Sequence, residues 1–203
     1  MNARYMGDSA LLVETRDSAE AQRLRHALDA ERIPGLRQLV PGYSSLLLEA
    51  DPLVADLDAL ARRLPELLRA PSQASISRLH EIPVCYTGED LEAVAASLGM
   101  RMDEVVRRHS APTYSVAFLG FAPGFAYLTG LDPALKLPRL ATPRTRTPEG
   151  AVAMAGAFTG IYPQATPGGW RVLGSTSVRL FDVSRTSPAL FAPGDQVRFK
   201  VIT

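Results

Sequence analysis

Cysteine is almost missing from this chain: among 203 residues only Cys85 occurs, which excludes an intramolecular disulfide and any paired-thiol redox or zinc motif. Lysine is nearly as scarce, with Lys136 and Lys200 alone among 22 basic residues. Neither lysine sits in a G-x-x-x-x-G-K-[ST] run, and no G-x-G-x-x-G opens a helix, so the common nucleotide cradles are excluded. The three histidines, His26, His80 and His109, lie far apart without H-x-x-x-H spacing, which leaves no expected metal site. G-x-S-x-G is also lacking. Charge of one sign is not in excess: a net +1 provides no concentrated field for nucleic acid or an anionic membrane. No apolar run approaches the roughly 18 residues needed to span a bilayer, and no basic start with an apolar core and cleavage site marks a signal peptide. These absences together predict a cytoplasmic protein.

What is present is ordinary for a folded chain: 46% hydrophobic and 21% charged residues suffice to bury a sizeable core. The first part alternates strand-like and helix-like patterns. A short apolar run at 10–14 precedes a helical stretch at 18–31, with Ser18 as expected N-cap and leucines at 24 and 28. Two further runs, 37–40 and 45–49, flank a PGY turn, and helical spacing returns over 53–68. This β-α-β-β-α order suits a small sheet with helices on one face, a ferredoxin-like half, over 1–75. The Pro- and Ser-containing segment 70–77 reads as a linker. A strand over 76–86 and two short helices at 90–98 and 103–110 follow, with Gly99 ending the first helix. From Tyr114 onward the runs are short, β-rich and separated by turns, which predicts an antiparallel sandwich or barrel within 76–203.

All seven Phe and the only Trp lie after Tyr114, among dense Gly and Pro: GFAPGFAYLTGL at 120–131, PRLATPRTRTPEG at 138–150, AGAFTGIYP at 155–163 and PGGW at 167–170. Glycine permits unusual backbone, proline fixes φ, and packed aromatics hold such loops rigid, so this region predicts a shaped recognition surface. Phe121, Phe125, Tyr127 and Tyr162 line a pocket wall in one reading and plug the barrel end in the other; Trp170 fits the core better. Arg139, Arg144 and Arg146 fall in a Pro-rich stretch that can present guanidinium forks to a carboxylate or phosphate, or simply be solvated. His109, at a helix end, titrates near neutrality and is either a general acid/base or a cap on the helix C-terminus. Cys85, in a strand-like run, reads as a buried small hydrophobe rather than a nucleophile.

GFAPGFAYLTGLD, the PR…TPR…P-x-G run at 138–150, AVAMAGAFTGIYPQATPGGW and FAPGDQVRF at 191–199 together resemble the allophanate hydrolase subunit 1/KipI family. Matching stretches occur in the same order upstream: YMGDSALLVE at 5–14, VPGYSSLLLEADP at 40–52, IPVCYTGEDLEAVA at 82–95 and VVRRHSAPTYSVAFLGFAPG at 105–124. The resemblance implies an α+β chain, a ferredoxin-like half followed by a cyclophilin-like antiparallel β-barrel. It implies a subunit of an ATP-dependent 5-oxoprolinase that opens 5-oxo-L-proline to L-glutamate, ATP being a co-substrate of the complex. The implied partners are a subunit-2 homologue and a third oxoprolinase subunit, and the chain is expected to be inactive alone. Two other branches of the resemblance are an inhibitor of a sporulation histidine kinase and a carboxyltransferase-like subunit related to urea carboxylase. It supports His109 and Arg144 as the expected catalytic residues, and the residue-level reading adds Phe121, Phe125, Tyr127, Arg139, Arg146 and Tyr162 as expected around the substrate. At 86–91, where the family carries a longer acidic loop, this chain has only YTGEDL.

Overall fold

The computed structural model describes residues 2–69 and 77–202. The chain divides into two compact units, Met1–Ile76 and Ser77–Thr203. Apart from Ser77, the linker expected over 70–77 lies outside the described residues.

In the first unit, strands β1 (Ala3–Tyr5), β2 (Ala10–Glu14), β3 (Leu36–Pro41) and β4 (Ser45–Ala50) accompany helices α1 (Ser18–Glu31) and α2 (Leu57–Arg69). The sheet order is β1-β2-β4-β3, antiparallel throughout. This is the ferredoxin-like arrangement, with the N-terminal strand β1 taking an edge place. Alternation sends Leu11, Val13, Leu46 and Leu48 to one face, where Leu24 and Leu28 of α1 and Leu60, Leu64 and Leu67 of α2 cover them. One detail differs from the sequence reading. Asp17, not Ser18, is the N-cap, because its carboxylate accepts the Glu20 N–H at 2.8 Å from an extended backbone.

The second unit contains β5 (Leu79–Cys85), α3 (Leu91–Leu98), α4 (Met102–Ser110), β6 (Tyr114–Leu119), β7 (Ala126–Thr129), β8 (Arg144–Thr147), β9 (Ala151–Ala155), β10 (Phe158–Ile161), β11 (Thr166–Gly168), β12 (Arg171–Ser175) and β13 (Gln196–Ile202). Seven of these strands close a barrel in the order β10-β7-β6-β13-β5-β12-β9, while β8 and β11 form a separate two-stranded ribbon. The chain is thus α+β, as expected, with one correction to the purely antiparallel barrel: β5 and β13 run parallel, in register from Leu79↔Gln196 to Cys85↔Ile202. No hairpin links these two strands, so nothing local imposes the antiparallel sense that short turns impose elsewhere. The barrel is filled by Ile82, Val84, Val116, Leu128, Val152, Met154, Leu173, Val197 and Phe199. Tyr114 closes the end of α4 by donating its hydroxyl to His109 O at 2.6 Å.

Candidate functional site: an aromatic and arginine face on the barrel

The loop between β6 and β7 is tied by Gly120 N–H to Phe125 O (3.1 Å) and Phe125 N–H to Ala122 O (2.9 Å). Within it Phe121 adopts φ 69, a left-handed backbone that a bulky residue rarely takes, and its ring stays 60% exposed. Phe125 turns inward and is buried. Its ring stands edge-on to Phe121 (5.4 Å), Tyr127 (5.1 Å), Tyr162 (5.4 Å) and Trp170 (5.3 Å). Phe121 also meets Tyr162 edge-on at 6.2 Å. Phe125 is therefore the hub of an aromatic floor, and Phe121 is the ring on that floor left open to solvent.

The β8–β11 ribbon settles on this floor. A Cβ at Gly168 would lie 2.3 Å from Tyr162 Oη and 3.0 Å from Thr147 Oγ1, so only glycine permits the approach. The preceding segment is laid down by Leu140 N–H on Gly169 O (2.8 Å) and Arg171 Nε on Pro138 O (3.1 Å). Arg139 lies between these two anchored residues, Pro138 and Leu140. Burial pushes the Tyr162 phenol above its usual range, while the Trp170 amide, the Thr147 hydroxyl and the Arg139 guanidinium act in the opposite sense. Arg139 is itself exposed. Phe121, Phe125, Tyr127 and Tyr162 thus share one ring cluster, in which Phe125 and Tyr162 are buried.

Three expected residues stand differently. Arg144 and Arg146 lie on strand β8, not in a loop, and share one face of it by the two-residue period. Arg146 is exposed. Arg144 is not an open anion receptor: its Nε reaches Glu89 Oε1 at 2.7 Å, its Nη2 Asp90 Oδ1 at 2.5 Å, and its Nη1 donates to Trp170 O at 3.2 Å. Two carboxylates already neutralise it.

His109 is corrected most fully. The ring is completely buried, stacked on Phe199 at 4.9 Å. Thr159 donates its hydroxyl to Ala153 O at 2.9 Å, so Thr159 Oγ1 accepts from His109 Nε2–H (2.8 Å) and His109 Nδ1 accepts from the Tyr86 hydroxyl (2.7 Å). Burial holds the imidazole pKa down to about 3. It is a neutral, doubly bonded core group, neither poised to carry protons to a substrate nor capping its helix. Tyr86 and Thr159, its partners, are the residues sequence reasoning missed; they stand 23 and 50 positions away, beyond any local pattern. Glu89 and Asp90 were also missed, their acidic pair signalling only a helix start. A groove of about 580 Å³ lined by Cys85, Tyr86, Val106, Ser110, Val201 and Ile202 includes none of the expected site residues. Among the described residues no helix is long and apolar enough to cross a membrane.

Comparison with known proteins places this geometry in a lineage. Residues 1–191 match the family model described as carboxyltransferase domain, subdomain C and D. A 5-oxoprolinase subunit from Escherichia coli O157:H7 is 43% identical over 171 residues, 82% of this chain and 78% of that protein. The corresponding 5-oxoprolinase subunit from Bacillus subtilis (strain 168) is 34% identical over 229 residues, covering 98% of this chain and 93% of that protein. Among solved structures, TTHA0988 superposes with a TM-score of 0.84 at 40% identity. This chain is covered completely but spans only 40% of that longer one. The Kluyveromyces lactis urea carboxylase, at 22% identity and a TM-score of 0.73 over 99% of this chain and 22% of that one, shares the fold.

Proposed function

Since the chain belongs to the same 5-oxoprolinase subunit family as its Escherichia coli and Bacillus subtilis relatives and carries a carboxyltransferase subdomain C and D, we propose that it is one component of a cytoplasmic, ATP-dependent 5-oxoprolinase. In this reading it works with a subunit-2 homologue and a third subunit to open 5-oxo-L-proline to L-glutamate. The net step adds water across the lactam C–N bond, the ring nitrogen leaving with a proton as the new amine while ATP is hydrolysed. Resonance makes the lactam carbonyl unreactive, and phosphoryl transfer to its oxygen would convert that oxygen into a leaving group. ATP is a co-substrate of the whole complex.

The observation that carries the reading is the exposed Phe121 ring over Phe125 and Tyr162, with the exposed Arg139 held between the anchored Pro138 and Leu140. A small flat ring bearing one carboxylate needs an apolar plate and a forked cation at its edge. On this chain the role is to bind and orient: Phe121, packed on the buried Phe125 and Tyr162, takes the ring face and Arg139 the carboxylate. The fully buried His109 plays no part in proton transfer here.

The test is reconstitution. The purified chain alone should release no glutamate from 5-oxo-L-proline and ATP, and the three-subunit mixture should. In that mixture Arg139→Ala should raise KM by about 10-fold or more, the loss of one charge-assisted bond worth about 1.5–3 kcal/mol. A mixture that leaves 5-oxo-L-proline intact, or an unchanged KM in the variant, would remove the assignment of substrate to this face.

A further inference from the structure

The acceptors that hold Arg144 are not equivalent. Glu89 presents a carboxylate that is 56% exposed, whereas the Asp90 side chain is 10% exposed. Asp90 Oδ2 accepts the Val172 N–H at 2.6 Å, and the Asp90 N–H donates to Val172 O at 3.1 Å. Asp90 is thereby stitched to β12 from both main chain and side chain. It occupies the N-cap position of α3 yet makes no side-chain cap bond, so its carboxylate forgoes the use that aspartate normally finds there. The segment is pressed onto β12 from two residues earlier as well. Gly88 N–H reaches Leu173 O at 3.0 Å, and a Cβ on Gly88 would fall 2.3 Å from Leu173 C.

β8 and β11 stand outside the closed barrel, and Arg144 receives ionic bonds from the segment that leads into α3 and is hydrogen-bonded to β12. Arg139 precedes Arg144 by five positions, on the segment that runs directly into β8. Together with the bonds at Pro138 and Leu140, the pinning of Arg144 therefore restricts where Arg139 can stand. We propose that Asp90 is a positioning residue for the aromatic and arginine face: without touching a ligand, it fixes through Arg144 the ribbon that presents Arg139 to the substrate's carboxylate. Glu89, half in solvent, completes the grip. This proposal rests on the reading of that face as the substrate receptor.

In the reconstituted complex, Asp90→Asn retains an oxygen for the Val172 N–H but withdraws the charge from Arg144. The expected result is a KM for 5-oxo-L-proline raised about tenfold, with the larger change in KM rather than kcat. If Asp90 acts through Arg139, its substitution should add less than about twofold to KM when Arg139 is already alanine, a non-additivity that a general loss of stability would not produce. Arg144→Lys, which keeps a cation but loses the fork, should give a smaller KM rise with the same dependence on Arg139, and serves if Asp90→Asn does not fold. A working complex in which Asp90→Asn and Arg144→Lys leave KM unchanged, or in which their effects multiply fully with Arg139→Ala, overturns the proposal and leaves the parent reading standing. A wild-type complex inactive on 5-oxo-L-proline overturns both.

Discussion

His109 shows how far one side chain's surroundings can reverse its sequence meaning. A histidine at a helix end invites a catalytic reading, yet this one is sealed between Tyr86 and Thr159 with both nitrogens bonded. Its folded pKa of about 3 lies below the usual 6.5, so the unfolded chain takes up the proton first. Stability from this group is complete above about pH 6.5 and declines as pH falls toward 3, by about 1.4 kcal/mol per unit. Denaturant midpoints measured from pH 7.5 down to 4 should show this slope, and His109→Gln should flatten it while lowering the melting temperature. A variant that keeps the full slope would place its origin elsewhere. Phe121 makes the opposite case: its backbone is strained and its ring exposed. Phe121→Gly should leave the melting temperature at or above wild type, because a left-handed φ suits glycine and restores about 1 kcal/mol or more. The same variant should weaken substrate binding in the complex; a drop in melting temperature would make Phe121 a packing residue instead.

Among the elements, those governed by local periodicity were legible in sequence and those governed by distant pairing were not. α1, β2 and the two short helices follow from leucine spacing, Gly99 and turn residues. β1 has only Ala3–Tyr5, too short to show alternation. β8 hid inside a Pro-rich stretch because Pro143 and Pro148, just outside it, read as loop punctuation. For the candidate face, aromatic density pointed to the cluster of Phe121, Phe125, Tyr127 and Tyr162 but not to which rings are buried, because that depends on packing between separate loops. Arg144 was read as open because its partner Asp90 lies 54 positions away. The 88–90 segment offers a test at this scale. Gly88→Ala forces a Cβ into the β12 backbone, where no flexible atom can yield. It should destabilise the barrel by about 1–3 kcal/mol, read as a lower denaturant midpoint, whereas Gly99→Ala meets nothing within 4 Å and pays only the cost of its positive φ. Equal effects at the two glycines would argue against close packing at Gly88.

Taken whole, the molecule has a leucine-rich core in its first unit and, in its second, a barrel interior of aliphatic and aromatic side chains beside the aromatic floor. The first core draws on helices and hairpin-connected strands near one another in the chain. The barrel does not: β5 lies alongside β13, and Arg78 N–H bonds to Asp195 Oδ1 117 residues further on. Such distant pairing delays ordering until the intervening chain has been brought in, which places refolding of the barrel in the millisecond-to-second range. Recovery of emission from the lone Trp170, followed by stopped flow, should occur on that timescale, and completion within microseconds would contradict it. On the ribosome the same pairing sets an order of events. The first unit can fold while translation continues, but the barrel must wait for β13 to leave the exit tunnel, its early strands exposed meanwhile to chaperones and to neighbouring nascent chains.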